Sequence, residues 1–253
     1  MPNGGTDCCG TCCFGEPITE PHSGGSDGKV RQVRCALRCL TIDNPFYRYC
    51  INHPRHNPQG IRDPLGPVYE ASCYPYQRTV WMPAPDSPEI RKRLIALVED
   101  NFSKLQGNYY FSHGMVREIV VFEHLAALKE KGALPGLAGY LRTAREKLQG
   151  PNAPVLKAKG ALKVKAAIKA LLEISEGAYL AEAAPWLYAG LESMALPAQA
   201  EEDMAVIRLG VVESLKYCPR EEVIELLKSA LSDPHSEIRE NAAALLENEI
   251  YGE

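Results

Sequence analysis

The sequence predicts a mainly α protein: a series of stacked helix pairs over residues 87–253, preceded by a small, irregular, cysteine-rich module with a short β-hairpin. Three observations lead there. Apolar residues recur at helical spacing beyond residue 87, prolines and glycines punctuate the chain before it, and eight of the nine cysteines fall within the first 73 residues. A length of 253 residues with 45% apolar and 24% charged residues is ordinary for a folded globular chain. The composition excludes a collagen-like or wholly disordered protein.

Residues 1–56 read as the cysteine-rich module and residues 57–86 as a proline-rich extended linker packed on the helical repeats. Nine prolines between Pro45 and Pro88 leave no room for a helix there. Within the module, Val30, Val33, Cys35, Leu37, Leu40 and Ile42 alternate with polar residues, which predicts a short strand or hairpin over 29–42. Ser87 is an N-cap candidate with Pro88 at the first helical position, where its missing N–H costs nothing. Ile90, Leu94, Leu97 and Val98 then mark one buried helix face.

That pattern returns with a basic residue after its first apolar member. Ile90-Arg91, Val116-Arg117, Val164-Lys165, Ile207-Arg208 and Ile238-Arg239 each open such a run, with spacings of 26, 48, 43 and 31 residues between the basic positions. Two copies are rougher: Glu123 and His124 replace apolar residues in one, and Ser214 interrupts the other. A second helix type starts at Pro135, Pro185 and Pro219, each followed by leucine or valine at helical spacing.

The stretch Ser232-Asp233-Pro234-His235-Ser236-Glu237-Ile238-Arg239-Glu240-Asn241-Ala242-Ala243-Ala244-Leu245 resembles a HEAT repeat of the PBS-lyase HEAT-like type, with its Asp-Pro turn and Ile-Arg pair. The resemblance covers roughly residues 87–250. It implies a short α-solenoid of HEAT-like helix pairs, each burying its apolar surface against its neighbours. In such repeats the Asp and Arg make contacts between repeats, so Arg117, Arg208 and Arg239 are read as structural.

Cys9 and Cys12 form a C-x2-C pair, with Cys35 and Cys50 placed after 22 and 14 intervening residues. Two thiols separated by two residues, one of them Gly10, turn toward one ion, and a strand pair supplies the rest. Four thiolates favour zinc by softness and tetrahedral geometry, making Cys9, Cys12, Cys35 and Cys50 the expected ligands of a structural, zinc-ribbon-like site. An alternative set replaces Cys35 with His53, and Cys8, Cys13, Cys39 and His56 stand nearby. An iron–sulfur cluster is the competing metal, and reduced thiols without metal are the plain alternative. The segments CGTC (9–12), NPFYRYCINHP (44–54) and YPYQRTVWMPAPD (74–86) also resemble the N-terminal part of bacterial HEAT-repeat proteins. That likeness implies a layout and no activity.

The sequence has no P-loop, GxGxxG, GxSxG or HExxH. His53, His56 and Asp63 as an acid–base set, or Cys39 or Cys73 as nucleophile, are weaker readings than loop residues. Phe46, Tyr47, Tyr49, Tyr69, Tyr74, Tyr76 and Trp81, interleaved with Arg48, Arg55, Arg62 and Arg78, have the composition of a single-strand nucleic-acid platform. Anchoring of an extended segment is favoured over that. Lys157, Lys159, Lys163, Lys165 and Lys169 read as a solvated helix face. Charge is uneven: Lys/Arg against Asp/Glu run 8 to 7 over residues 1–80, 15 to 12 over 81–198 and 5 to 13 over 199–253. A net charge of −4 argues against duplex binding by counterion release.

With no membrane-length apolar run and no secretory h-region, a cytoplasmic location is expected. The expected function is a non-catalytic scaffold: a zinc-stabilised module joined to a HEAT-like solenoid that binds a protein partner. A metal- or cluster-dependent redox enzyme or sensor is the alternative, and nucleic-acid binding through residues 46–81 the second.

Overall fold

The computed structural model describes residues 15–18, 32–35, 40–44, 48–49, 68–71, 78–82, 87–100, 102, 117–149, 158–191 and 198–251. The described residues are mainly helical, and the chain divides into two compact units, 1–124 and 125–253.

In the first unit, alternation of apolar and polar residues builds an antiparallel sheet from β1 (Gly15–Pro17), β2 (Gln32–Cys35) and β3 (Leu40–Asp43), in that order. Val33 lies opposite Ile42, and both are buried, as is Cys35; Arg34 and Thr41 are exposed. One face therefore forms a small core, as period-2 alternation demands. Gln32 Nε2 donates to Asp43 Oδ1 at 2.6 Å and closes the open end of the hairpin. Pro17 is in the edge strand β1, where the loss of an N–H donor is tolerated. The β2–β3 pair overlaps the stretch 29–42 where the alternation predicts a strand or hairpin and ends one residue beyond it, at Asp43.

A second sheet pairs β4 (Arg48–Tyr49), β5 (Val68–Ala71) and β6 (Arg78–Met82) antiparallel, with an irregularity between Val68 and Tyr69. Helix α1 (Ser87–Glu99) buries Ile90, Leu94 and Val98, the i, i+4, i+8 stripe expected of it. Helix α2 (Arg117–Ala127) buries Val120, Val121 and Phe122, and Phe102 meets the Phe122 ring edge-on with centroids 5.6 Å apart. His124, out of place in the repeat pattern, is buried, whereas Glu123 points to solvent.

The second unit contains α3 (Leu134–Gln149), α4 (Ala158–Ser175), α5 (Leu180–Ala183), α6 (Ala198–Ser214), α7 (Arg220–Ala230) and α8 (Ser236–Tyr251). Helix α4 packs on α3 and α6, and α6 in turn packs on α8, which pairs with α7. On the other side α3 meets α5, and the 3-10 segment Ala184–Tyr188 meets α7. Alternate elements thus neighbour one another in two rows. Helix α6 sits in the middle of its row, which explains why it is buried almost all round: Ala200, Met204, Ala205, Ile207, Val211 and Val212 are all in the core.

The second helix type behaves differently at its three prolines. Pro135 occupies the first turn of α3 and Pro219 precedes α7, both compatible with helix starts. At Pro185 a full helix is expected, but α5 stops after four residues and passes into the 3-10 segment. Pro185 cannot donate to the carbonyl four residues back, so the α-ladder is lost around it.

Gly210 explains the closeness of α4 and α6. A Cβ there would lie 2.6 Å from Lys165 Cγ and 3.3 Å from Lys165 Cα. Lys165 runs along α6 instead and pairs with Glu213 at 2.9 Å. Ser214, the polar interruption of the repeat, is fully buried and donates to the Gly210 carbonyl at 2.6 Å, which satisfies its hydroxyl within the helix.

Candidate functional site

Arg208 is fully buried, and the helical row places four acceptors around it. Nε and Nη2 donate to the Asp233 carboxylate at 2.7 and 3.3 Å, Nη2 to Glu201 Oε1 at 2.9 Å, and Nη1 to the Ala189 carbonyl at 2.6 Å. A buried guanidinium with its planar fork engaged in this way ties three segments together: the turn after the 3-10 segment, α6, and the turn before α8. Asp233 is itself buried and accepts the His235 N–H at 2.9 Å, which fixes the start of α8. Arg239 donates to the Asp233 and Pro234 carbonyls at 2.6 and 2.8 Å. Arg208 thus makes contacts between segments distant along the chain, whereas Arg239 bonds only carbonyls of the turn just before it. The side-chain surroundings of Arg117, the first residue of α2, lie outside the described residues. Glu201 and the Ala189 carbonyl complete the brace without a sequence signal, since only the fold brings them within reach.

Beside the brace, α6 and α8 leave a cleft of about 210 Å³. Its apolar walls come from Ala205, Val206, Leu209 and Ile238, and its polar rim from Glu202, Glu237 and His235. Glu202 and Glu237 are exposed, and neither has a cationic partner among the described residues. His235 is half-buried, with Nε2 3.5 Å from Glu201 Oε1, an oxygen already held by Arg208. The acidic final fifth of the chain is evident in the sequence; the cleft is not, because it joins residues of two helices that are distant along the chain.

A second polar cluster lies between α4 and the 3-10 turn Leu215–Tyr217. Glu173 accepts from Lys129 Nζ at 3.0 Å and interacts with the Tyr217 hydroxyl, while Lys216 Nζ lies 5.2 Å from the Tyr217 ring centre. Burial first, then the Glu173 charge and hydrogen bond, raises the Tyr217 phenol above its ordinary value. Cys218, next in sequence, is pushed up to about 11 by burial and by the Glu222 carboxylate. The thiol therefore stays protonated in neutral solution and is a poor nucleophile. At pH 8, peptide mapping after brief iodoacetamide treatment should find Cys218 labelled about a hundredfold more slowly in the native than in the unfolded chain, in proportion to its thiolate fraction. Equal rates would mean that the site does not shield it. A thiol raised from 9.0 to about 11 contributes stability that is complete below pH 9 and is lost as pH climbs through 11. Thermal unfolding followed from pH 8 to 11 should fall more steeply for the native sequence than for Cys218→Ala.

Of the expected zinc ligands, Cys9, Cys12 and Cys50 lie outside the described residues, as do His53 and His56. Cys35 ends β2, buried on the face it shares with Val33, and its cross-strand partners are Gly15 and Leu40. Gly15 stands three residues after Cys12, and Cys50 directly after β4. Among the described residues no group of three or more His, Cys, Asp or Glu side chains converges on a metal position. Of the aromatic–arginine segment, Arg48, Tyr49, Tyr69, Arg78 and Trp81 lie in β4, β5 and β6, and the remainder lies outside the described residues. Lys159, Lys163, Lys165 and Lys169 are on α4, with Lys169 exposed. No helix among the described residues is long and apolar enough to cross a membrane.

Comparison of the chain with protein-family models, with curated proteins and with solved structures finds no match.

Proposed function

We propose that this protein is a non-catalytic interaction scaffold: a zinc-stabilised N-terminal module joined to a HEAT-like helical solenoid that binds a protein partner. One observation carries the reading. The junction of α6 with the turn that starts α8 is locked by the buried Arg208–Asp233 pair, at the arginine and aspartate positions in which the sequence resembles HEAT repeats. An array braced in this way holds its surface in one shape, and a rigid, extended surface is what a scaffold presents to a partner.

Zinc is the metal that the donor set suits. Four thiolates at a tetrahedral site leave no open position for water or substrate, so its role is to fold a segment too small to build its own core. One fact of chain connectivity supports the ligand set of Cys9, Cys12, Cys35 and Cys50: Cys35 pairs across the sheet with Gly15, three residues from Cys12.

The test is elemental analysis of protein purified without added metal, with an absorption spectrum taken anaerobically. The expected result is about one zinc per chain without visible colour, lost together with N-terminal stability on Cys12→Ser or Cys50→Ser. Iron and sulfide with visible absorption would replace the scaffold by a redox enzyme or sensor, and absence of metal would remove the site.

A further inference from the structure

The cleft between α6 and α8 has a shape and a charge that select one kind of occupant. At about 210 Å³ it is below the range of sites that enclose a cofactor or drug-sized molecule, but it accepts one large side chain. Its floor is aliphatic: Val206 and Leu209 from α6 and Ile238 from α8. Its rim carries one carboxylate from each helix, Glu202 and Glu237, with the His235 imidazole, 3.5 Å from Glu201, beside them. These carboxylates differ from their neighbour Glu201, whose charge is taken up by the buried Arg208. Residues 199–253 carry 13 acidic against 5 basic side chains, so the field around the cleft has the same sign as its rim.

We infer that this cleft is the docking site for a basic amphipathic segment of the partner protein, in which one aliphatic or aromatic side chain enters the cleft and flanking Lys or Arg side chains meet Glu202 and Glu237. An apolar anchor in a pocket with charges at the edge is the usual division of labour in such recognition: the anchor supplies affinity and the charges supply orientation and on-rate. A helix is the segment that meets both demands most simply, because residues three and four positions from the anchor stand on the same face and reach opposite rims. An acidic segment is repelled, and a purely apolar one leaves both carboxylates facing its backbone. This inference rests on the scaffold reading and specifies its partner.

Panning a random 16-residue peptide display library on the purified full chain tests it. The enriched peptides should share an aliphatic or aromatic residue with Lys or Arg three or four positions away. Their affinity should fall tenfold or more in two variants that act differently: Val206→Trp, which fills the cleft, and Glu202→Lys with Glu237→Lys, which reverses the rim while leaving the core untouched. A charge-matched control on α7, Glu221→Lys with Glu222→Lys, should change affinity less than twofold. Enriched peptides without cations, equal losses in the rim and α7 variants, or binding indifferent to Val206→Trp would each overturn the assignment. Self-association of the chain that disappears on rim reversal would overturn it too, by making a second copy the occupant. If the rim-reversed chain still captures its partner from cells, the cleft assignment fails and the scaffold stands. If the native chain captures none, the scaffold reading itself fails.

Discussion

Arg208→Leu is expected to lower the free energy of unfolding by about 3–5 kcal/mol, the usual cost of removing one member of a buried ion pair. The reason is what remains behind. Asp233 is 5% exposed and Glu201 half-buried, and without the guanidinium the first is left as a carboxylate with only the His235 N–H to hold it. The Ala189 carbonyl loses its donor as well. Chemical denaturation of the native chain and the variant measures the difference. Combining Arg208→Leu with Asp233→Asn should recover a large part of the loss, because the amide keeps an oxygen for the His235 N–H without a charge to strand. By contrast, Lys228→Ala breaks an ion pair with Glu225 whose members are 58% and 81% exposed, and it should change stability by less than about 0.5 kcal/mol. A loss below about 1 kcal/mol for Arg208→Leu would show that the guanidinium is dispensable to the array.

Gly177→Ala should be nearly as damaging, at about 2–4 kcal/mol, by a different route that combines backbone strain and overpacking. Gly177 lies just past α4 with φ of +86°, where an L side chain is strained. The added Cβ would also lie 2.6 Å from the Cα of Cys218 and 2.8 Å from Pro219 Cδ. Neither atom belongs to a flexible side chain tip, so relief requires moving the turn that starts α7. The N–H of Gly177 donates to the Leu172 carbonyl at 3.1 Å, a bond that caps α4 and would move with it. Calorimetry of the variant would register the loss as a lowered Tm. An unchanged Tm would mean that the turn between α4 and α5 yields freely.

Which features are legible in the sequence depends on the range of the interactions involved. The apolar stripes of α1, α4 and α8 are local, repeating within a turn or two, and so can be read in Ile90, Leu94 and Val98 or in Ile238 and Ala242. The hairpin is legible for the same reason, through the alternation of Val33, Cys35 and Ile42. Pro185 misleads because proline at a helix start and proline inside a helix look alike until the preceding residues are known to be helical, as Leu180–Ala183 are. Ser214 looks like a defect in the repeat and is instead a buried hydroxyl bonded one turn back. The Arg208 brace is half legible. Its arginine and aspartate stand out in the repeat, but Glu201 and the Ala189 carbonyl depend on the packing of α6 against its neighbours. The cleft is hidden altogether, since Val206 and Ile238 become neighbours only when α6 meets α8.

Chemical cross-linking with mass spectrometry, on the full-length chain captured under native conditions from cells that express it, tests the scaffold function most directly. A scaffold of this kind should retain a protein partner at near-stoichiometric amounts, with intermolecular cross-links concentrated on residues 125–253 and capture abolished when Arg208→Leu unlocks the array. Retention of no protein, or cross-links distributed without preference over both units and unaffected by Arg208→Leu, would contradict it.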